Sequence, residues 1–145
     1  MKIKTNDIET NYVIEGEGPW VTMSHSLACN LSMWDEQAKL LARKFKVLRY
    51  DTRGHGGSSA PPGPYTLEQL ADDTKALFDA LDIEHTHYGT GGPRHEHIVD
   101  VEAHAAFAGR PAAAADTADL ESRRRVAGAA RAFDFEIRSE VRQIE

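Results

Sequence analysis

The chain has 145 residues, 41% hydrophobic and 28% charged, with 17 Lys and Arg against 23 Asp and Glu for a formal charge of −6. That balance describes one globular domain and gives no electrostatic basis for binding nucleic acid or an anionic membrane, since neutralising phosphates takes a basic surface. A single cysteine, Cys29, cannot close an internal disulfide, and no apolar run approaches the ~20 residues that span a bilayer, so a reducing, cytoplasmic setting is expected.

In chain order, Ile3 and Thr5 precede an Asn6-Asp7 turn, after which Ile8, Thr10, Tyr12 and Ile14 alternate with polar residues. Period-two alternation across a turn predicts a hairpin. Loop chemistry at Glu15-Gly16-Glu17-Gly18-Pro19 leads into a buried strand at Trp20 to Ser24 and a loop from His25 to Leu31. Ser32 and Asp35 predict a helix cap, with Trp34, Ala38, Leu41 and Phe45 on one face and the helix ending near Lys44. Val47 to Tyr50 is a short strand running into the glycine-rich loop from Asp51 to Ser58, and Thr66 with Gln69 caps a helix whose stripe is Leu67, Leu70, Ala71, Thr74, Leu77, Phe78 and Leu81. His85 to Tyr88 is the next strand. Strands alternating with amphipathic helices predict an α/β fold with a mostly parallel sheet and flanking helices.

Composition changes after Tyr88. Residues 1–88 hold all six lysines, three arginines and seven alanines, whereas residues 89–145 hold no lysine and eight arginines, and 13 of the 30 residues from Ala103 to Ala132 are alanine. The two segments, 1–88 and 89–145, are therefore expected to differ in origin or job, the second being a divergent Ala/Arg-rich tail, helical or disordered, introduced by a frameshift or fusion.

Ser24-His25-Ser26-Leu27 and Asp51-Thr52-Arg53-Gly54-His55-Gly56-Gly57-Ser58 resemble two motifs of the α/β-hydrolase superfamily: the oxyanion-hole loop and the D-x-R-G-x-G-x-S turn. With Gly63 to Leu70 included, the string from Arg49 is most similar to the 3-oxoadipate enol-lactonases. The resemblance covers residues 1 to about 88 and implies the N-terminal portion of that fold, truncated here. It implies hydrolysis of a small-molecule ester or lactone without a cofactor, by a serine on a G-x-S-x-G elbow that an acid and a histidine activate. Leu27 matches the residue whose backbone N–H forms half of the oxyanion hole, with His25 and Ser26 shaping the loop. Such donors sit ~3 Å from the developing charge.

The chain departs from that pattern at the elbow, where it reads Gly89-Thr90-Gly91-Gly92-Pro93-Arg94-His95-Glu96-His97, with no serine between Ser59 and Ser122. An inactive chain is the expectation, since the triad is missing. Thr90 is the hydroxyl nearest the elbow, but a β-branched residue tolerates strained elbow angles poorly. Gly89-Thr90-Gly91-Gly92 lacks the Lys-Ser/Thr of a phosphate loop, and Pro93 removes an N–H donor. His95, His97, Asp100, Glu102 and His104 supply ligand types for a metal without a recognised zinc spacing, and an irregular, solvated stretch is the plainer reading. The alternative function is a metal- or protein-binding module built on His95, His97 and His104 or on a C-terminal helix carrying Phe133, Ile137, Val141 and Ile144. Ser58 and Ser59 read as loop residues, Cys29 as a passive thiol, His85 and His87 as structural or surface residues, and Trp34 as core or pocket border. A sheet cut short after the strand at Thr86–Tyr88 would leave that strand's outer edge unpaired and favour self-association.

Overall fold

The computed structural model describes residues 1–90 and 97–102. Among the described residues, six strands form one sheet in the order β1-β2-β4-β3-β5-β6, with β1 Lys2–Thr5, β2 Ile8–Glu15, β3 Trp20–Ser24, β4 Lys46–Tyr50, β5 His85–Thr90 and β6 His97–Glu102. Pairing is parallel in the centre, β4 with β3 and β3 with β5, and antiparallel at both flanks, so the sheet is mixed. Connection length explains this. The long segments after β3 and β4 each hold a helix and permit a parallel crossover, whereas the two residues between β1 and β2 and the six between β5 and β6 do not.

The α-helices among the described residues are α1, Asp35–Leu41, and α2, Leu67–Ala80. Alternation along β4 assigns them to opposite faces of the sheet. Val47 packs with Val21, Met23, Trp34, Ala38, Leu41 and Phe45 under α1, while Leu48 and Tyr50 pack with Tyr12, Leu77, Phe78 and Ile83 under α2. A central strand buried on both faces reads as a near-continuous apolar run. The exception in that run is Arg49, which is buried and paired with Glu15 of β2 and Asp35 of α1. Its guanidinium fastens α1 to β2.

Several local expectations are revised. The first helix is capped by Asn30, whose side chain accepts from the Ser32 N–H; a 3₁₀ turn, Leu31–Trp34, precedes α1, and α1 closes at Leu41 before tight turns that reach Phe45. Thr66 caps α2 as expected, its hydroxyl accepting from the Gln69 N–H at 3.1 Å, but Leu67 is 82% exposed and lies outside the buried stripe. Beyond Tyr88 the sheet continues: β5 runs on to Thr90, and β6 pairs along it from His85↔Glu102 to Thr90↔His97. Residues 97–102 are thus strand, favoured by the β-branched Ile98, Val99 and Val101, and the outer edge of β5 is paired. The premise for association through that edge is removed.

Candidate active site

Three segments meet where β3 and β4 end. The loop from His25 to Leu31 leaves β3 with Ala28 at φ +63° and closes on itself through the Cys29 N–H, which donates to the Ser26 carbonyl at 3.1 Å. The Ser26 N–H donates to Met33 Sδ at 3.1 Å, and the Trp34 indole N–H holds the Ser24 carbonyl at 3.2 Å from below. Trp34 is therefore core, 3% exposed, with its polar atom committed to the base of the loop. None of these bonds uses the Leu27 N–H, and Leu27 is 88% exposed.

His25 braces this loop. Its Nε2 accepts the Thr52 backbone N–H at 3.0 Å, and because an amide N–H can only donate, the ring proton resides on Nδ1, which donates to the Ser26 carbonyl at 2.8 Å. Both nitrogens are thereby occupied by backbone. The Thr52 hydroxyl lies 3.2 Å from His25 Nε2 and 3.1 Å from His55 Nδ1, and the two imidazoles face each other at 5.0 Å between centroids.

The other end of the loop is held by Asp51, the neighbour of Thr52. Asp51 is 2% exposed; its Oδ1 accepts the Leu31 N–H at 2.7 Å, and its Oδ2 accepts the Gly57 N–H at 2.8 Å and the Asn11 amide at 2.7 Å. This carboxylate, satisfied wholly by neutral donors, stitches the 25–31 loop, the 51–59 loop and β2 together. Gly56 has φ +50°, and a Cβ there would lie 2.2 Å from Asp51 Oδ2, so the loop closes on Asp51 only with glycine. Ser58 Oγ donates to the Asp51 carbonyl and accepts the Asn11 N–H, and Ser59 Oγ accepts the Glu9 N–H. Both serines are loop fasteners.

Arg53 points away from the cleft into a buried, bidentate pair with Asp73 of α2, Nε and one terminal nitrogen each at 2.7 Å. The Asn6 carbonyl and side-chain amide complete the cluster, which ties α2 to the β1–β2 turn and raises the Arg53 pKa. The sequence pattern marks the 51–58 turn but neither Asn11 nor Asp73, because both partners arrive from distant elements.

Between the loop, the Thr52–His55 segment and α2 lies a cleft of about 280 Å³, with Leu27 and Leu67 at its mouth. Its floor is a hydroxyl chain: Tyr88 to Tyr50 at 2.6 Å, Tyr50 to Thr74 at 3.0 Å, and Thr74 to the Leu70 carbonyl at 2.9 Å. Burial, with Tyr88 beside it, pushes the Tyr50 phenol well above its ordinary value, so it is neutral at physiological pH.

The register Ser24↔Thr90 sets the end of β5 directly beside the start of the loop. His25, Ser26 and Leu27 thus gather at the cleft with the end of β5 alongside, where the hydrolase pattern requires its nucleophile. Thr90 is the last residue of that strand and is not among the residues with positive φ, so it does not occupy a strained elbow. Cys29 is exposed and unbridged. His85 and His87 lie toward the opposite end of β5, beside Trp20 and Asp82. His97, Asp100 and Glu102 fall within β6, while His95, His104 and the segment from Phe133 to Ile144 lie outside the described residues. Among the described residues no group of three or more His, Cys, Asp or Glu is placed to hold a metal, and no helix is long and apolar enough to cross a membrane.

The architecture is a partial α/β-hydrolase fold: residues 19–89, just under half of the chain, match the family described as the alpha/beta hydrolase fold, and the described residues correspond to an N-terminal portion of it. Within it the resemblance is to enol-lactonases. The chain is 45% identical over 83 residues to 3-oxoadipate enol-lactonase 2 of Acinetobacter baylyi, covering 56% of this chain and 31% of that protein. The crystal structure of the enol-lactonase from Burkholderia xenovorans LB400 superposes with a TM-score of 0.60 and 46% identity, over 62% of this chain and 36% of the other. A fluoroacetate dehalogenase from a Burkholderia species is 36% identical over 90 residues, 59% of this chain and 30% of its own length. The chain therefore spans about a third of the length of these relatives.

Proposed function

We propose that residues 1–90 form the oxyanion side of a cleft for a small ester or lactone, and that this chain binds such a ligand without hydrolysing it. The observation that carries the reading is the Ser24↔Thr90 register: β5 delivers a threonine in regular strand geometry to the position beside the oxyanion loop, followed by Gly91-Gly92-Pro93. Acyl transfer needs a nucleophile there, a base within hydrogen-bond reach and two convergent N–H donors. Leu27 supplies one donor by its match to the family loop. His25 is unsuited to the role of base, since its Nε2 already accepts the Thr52 N–H. The change of composition after Tyr88 supports reading 89–145 as a divergent segment in place of the usual continuation, and the exposed, unbridged Cys29 is compatible with a reducing, cytoplasmic setting.

Incubation of the purified chain with p-nitrophenyl acetate and an enol-lactone, alongside labelling by a fluorophosphonate, tests the reading. Hydrolysis at the buffer rate and no labelling are expected. Turnover that co-purifies with the chain and disappears on fluorophosphonate treatment would overturn it.

A further inference from the structure

The hydroxyl chain beneath the cleft has a direction, and that direction selects the ligand. The Leu70 carbonyl can only accept, so the single proton of Thr74 Oγ1 is committed to it at 2.9 Å. Thr74 then accepts from Tyr50, 3.0 Å away, and Tyr50, its own proton committed, accepts from Tyr88 at 2.6 Å and, on its other lone pair, from the Ser24 hydroxyl. Each hydroxyl owns one proton, so all three are consumed within the wall. Tyr88, half-buried and lining the cleft, is left with a lone pair.

Resting on the proposed ester- or lactone-binding cleft, we propose that Tyr88 is a specificity-determining residue whose phenol oxygen accepts a hydrogen bond, so that the cleft favours a ligand bearing a hydroxyl over the same ligand capped as an ether. In an ester or lactone hydrolase site, such a donor is the alcohol or enol hydroxyl that cleavage releases. The carbonyl oxygen of the substrate finds no donor at Tyr88 and is directed toward the Leu27 loop instead. The floor and the loop thereby divide ligand recognition, one accepting and the other donating.

Benzyl alcohol and benzyl methyl ether share an apolar body and differ in the proton. Titrated into the intact chain and followed through the amide resonances of Leu27 and Ala71, the alcohol is expected to bind roughly three- to tenfold more tightly, the range one neutral hydrogen bond supplies. Tyr88→Phe removes the acceptor and brings the ratio to about one. Thr74→Val is the more searching variant: it takes away the acceptor of Tyr50, whose proton then turns to Tyr88 and frees the Tyr88 proton to donate, so the advantage of the alcohol again collapses while the ether binds at least as well as before. A merely structural role for Thr74 would leave the ratio unchanged. Equal binding of both probes to the parent chain, or a ratio that survives both substitutions, would overturn this inference and leave the cleft assignment standing. Failure of either probe to shift the cleft amides would overturn both.

Discussion

The loop from His25 to Leu31 and the end of β5 lie side by side, and they are held by different means. The loop is clamped at both ends by consecutive residues, Thr52 on His25 and Asp51 on Leu31, and supported from below by Trp34 on Ser24. Among the described residues, the end of β5 is held by backbone pairing, to Ser24 on one side and His97 on the other, and by the Tyr88 hydroxyl on Tyr50 two residues before its end. The side chains that, among the described residues, hold the loop come from the segments that follow β3 and β4. The loop is therefore held, among the described residues, independently of β5. The cleft is in this sense built in halves, the 25–31 loop and the end of β5.

The largest expected effect tests whether the cleft walls depend on buried charge. Replacing Arg53 by Met strands Asp73 with Asn6 as its remaining partner, and removing one member of a buried pair costs about 3–5 kcal/mol. Urea unfolding should register that loss, and Asp73→Leu in the same chain should recover much of it, because the uncompensated charge is then gone. A loss below about 1 kcal/mol would mean that solvent reaches the pair and that α2 is held by its apolar face alone.

A smaller effect bears directly on the two halves. In Asp51→Asn the amide oxygen keeps one acceptor position, but its NH₂ confronts an N–H of Leu31 or Gly57, at a cost of about 1–3 kcal/mol. Hydrogen exchange should accelerate at Leu31 and Gly57 and stay unchanged along β5. Equal acceleration in β5 would show that the two halves are specified together rather than independently.

The hairpin, the strands at 20–24 and 46–50 and the α2 cap are legible in the sequence because period two, period 3.6 and capping residues record which face is buried and where a helix starts. The same signals do not record partners. Asn11 falls within the alternating run of β2 like any outward polar residue, yet it meets Asp51, 40 positions away. Arg53 is visible as part of a motif, but its pairing with Asp73 depends on how α2 crosses the sheet. Leu67 fits the helical stripe and is exposed because the first turn of α2 stands at the cleft mouth, beyond the sheet. β6 escapes the sequence reading although Ile98, Val99 and Val101 signal a strand, since His97, Asp100 and Glu102 break the apolar pattern and invite a reading as ligands. The loop at 25–27 is recognisable by resemblance. Its brace is not, because the role of His25 is set by a backbone N–H of Thr52.

The smallest expected effect is a control on the comparison, placed on the far wall of the cleft. Thr66→Ala removes the cap that accepts the Gln69 N–H, which typically costs about 1 kcal/mol of helix stability. It also alters a nearby carboxyl. Bonds from its own backbone N–H and from the Thr66 hydroxyl hold the Glu68 pKa below its ordinary value, so the cap adds its contribution above the ordinary carboxylate pKa and loses it as pH falls through the lowered one. In Thr66→Ala an NMR titration should show the Glu68 pKa moving up, and amide exchange should quicken in the first turn of α2. Exchange in the 25–31 loop and in β5 should not change. If the loop loosened with the cap, its shape would depend on α2 as well as on Asp51 and Thr52, and its independence would extend only to β5.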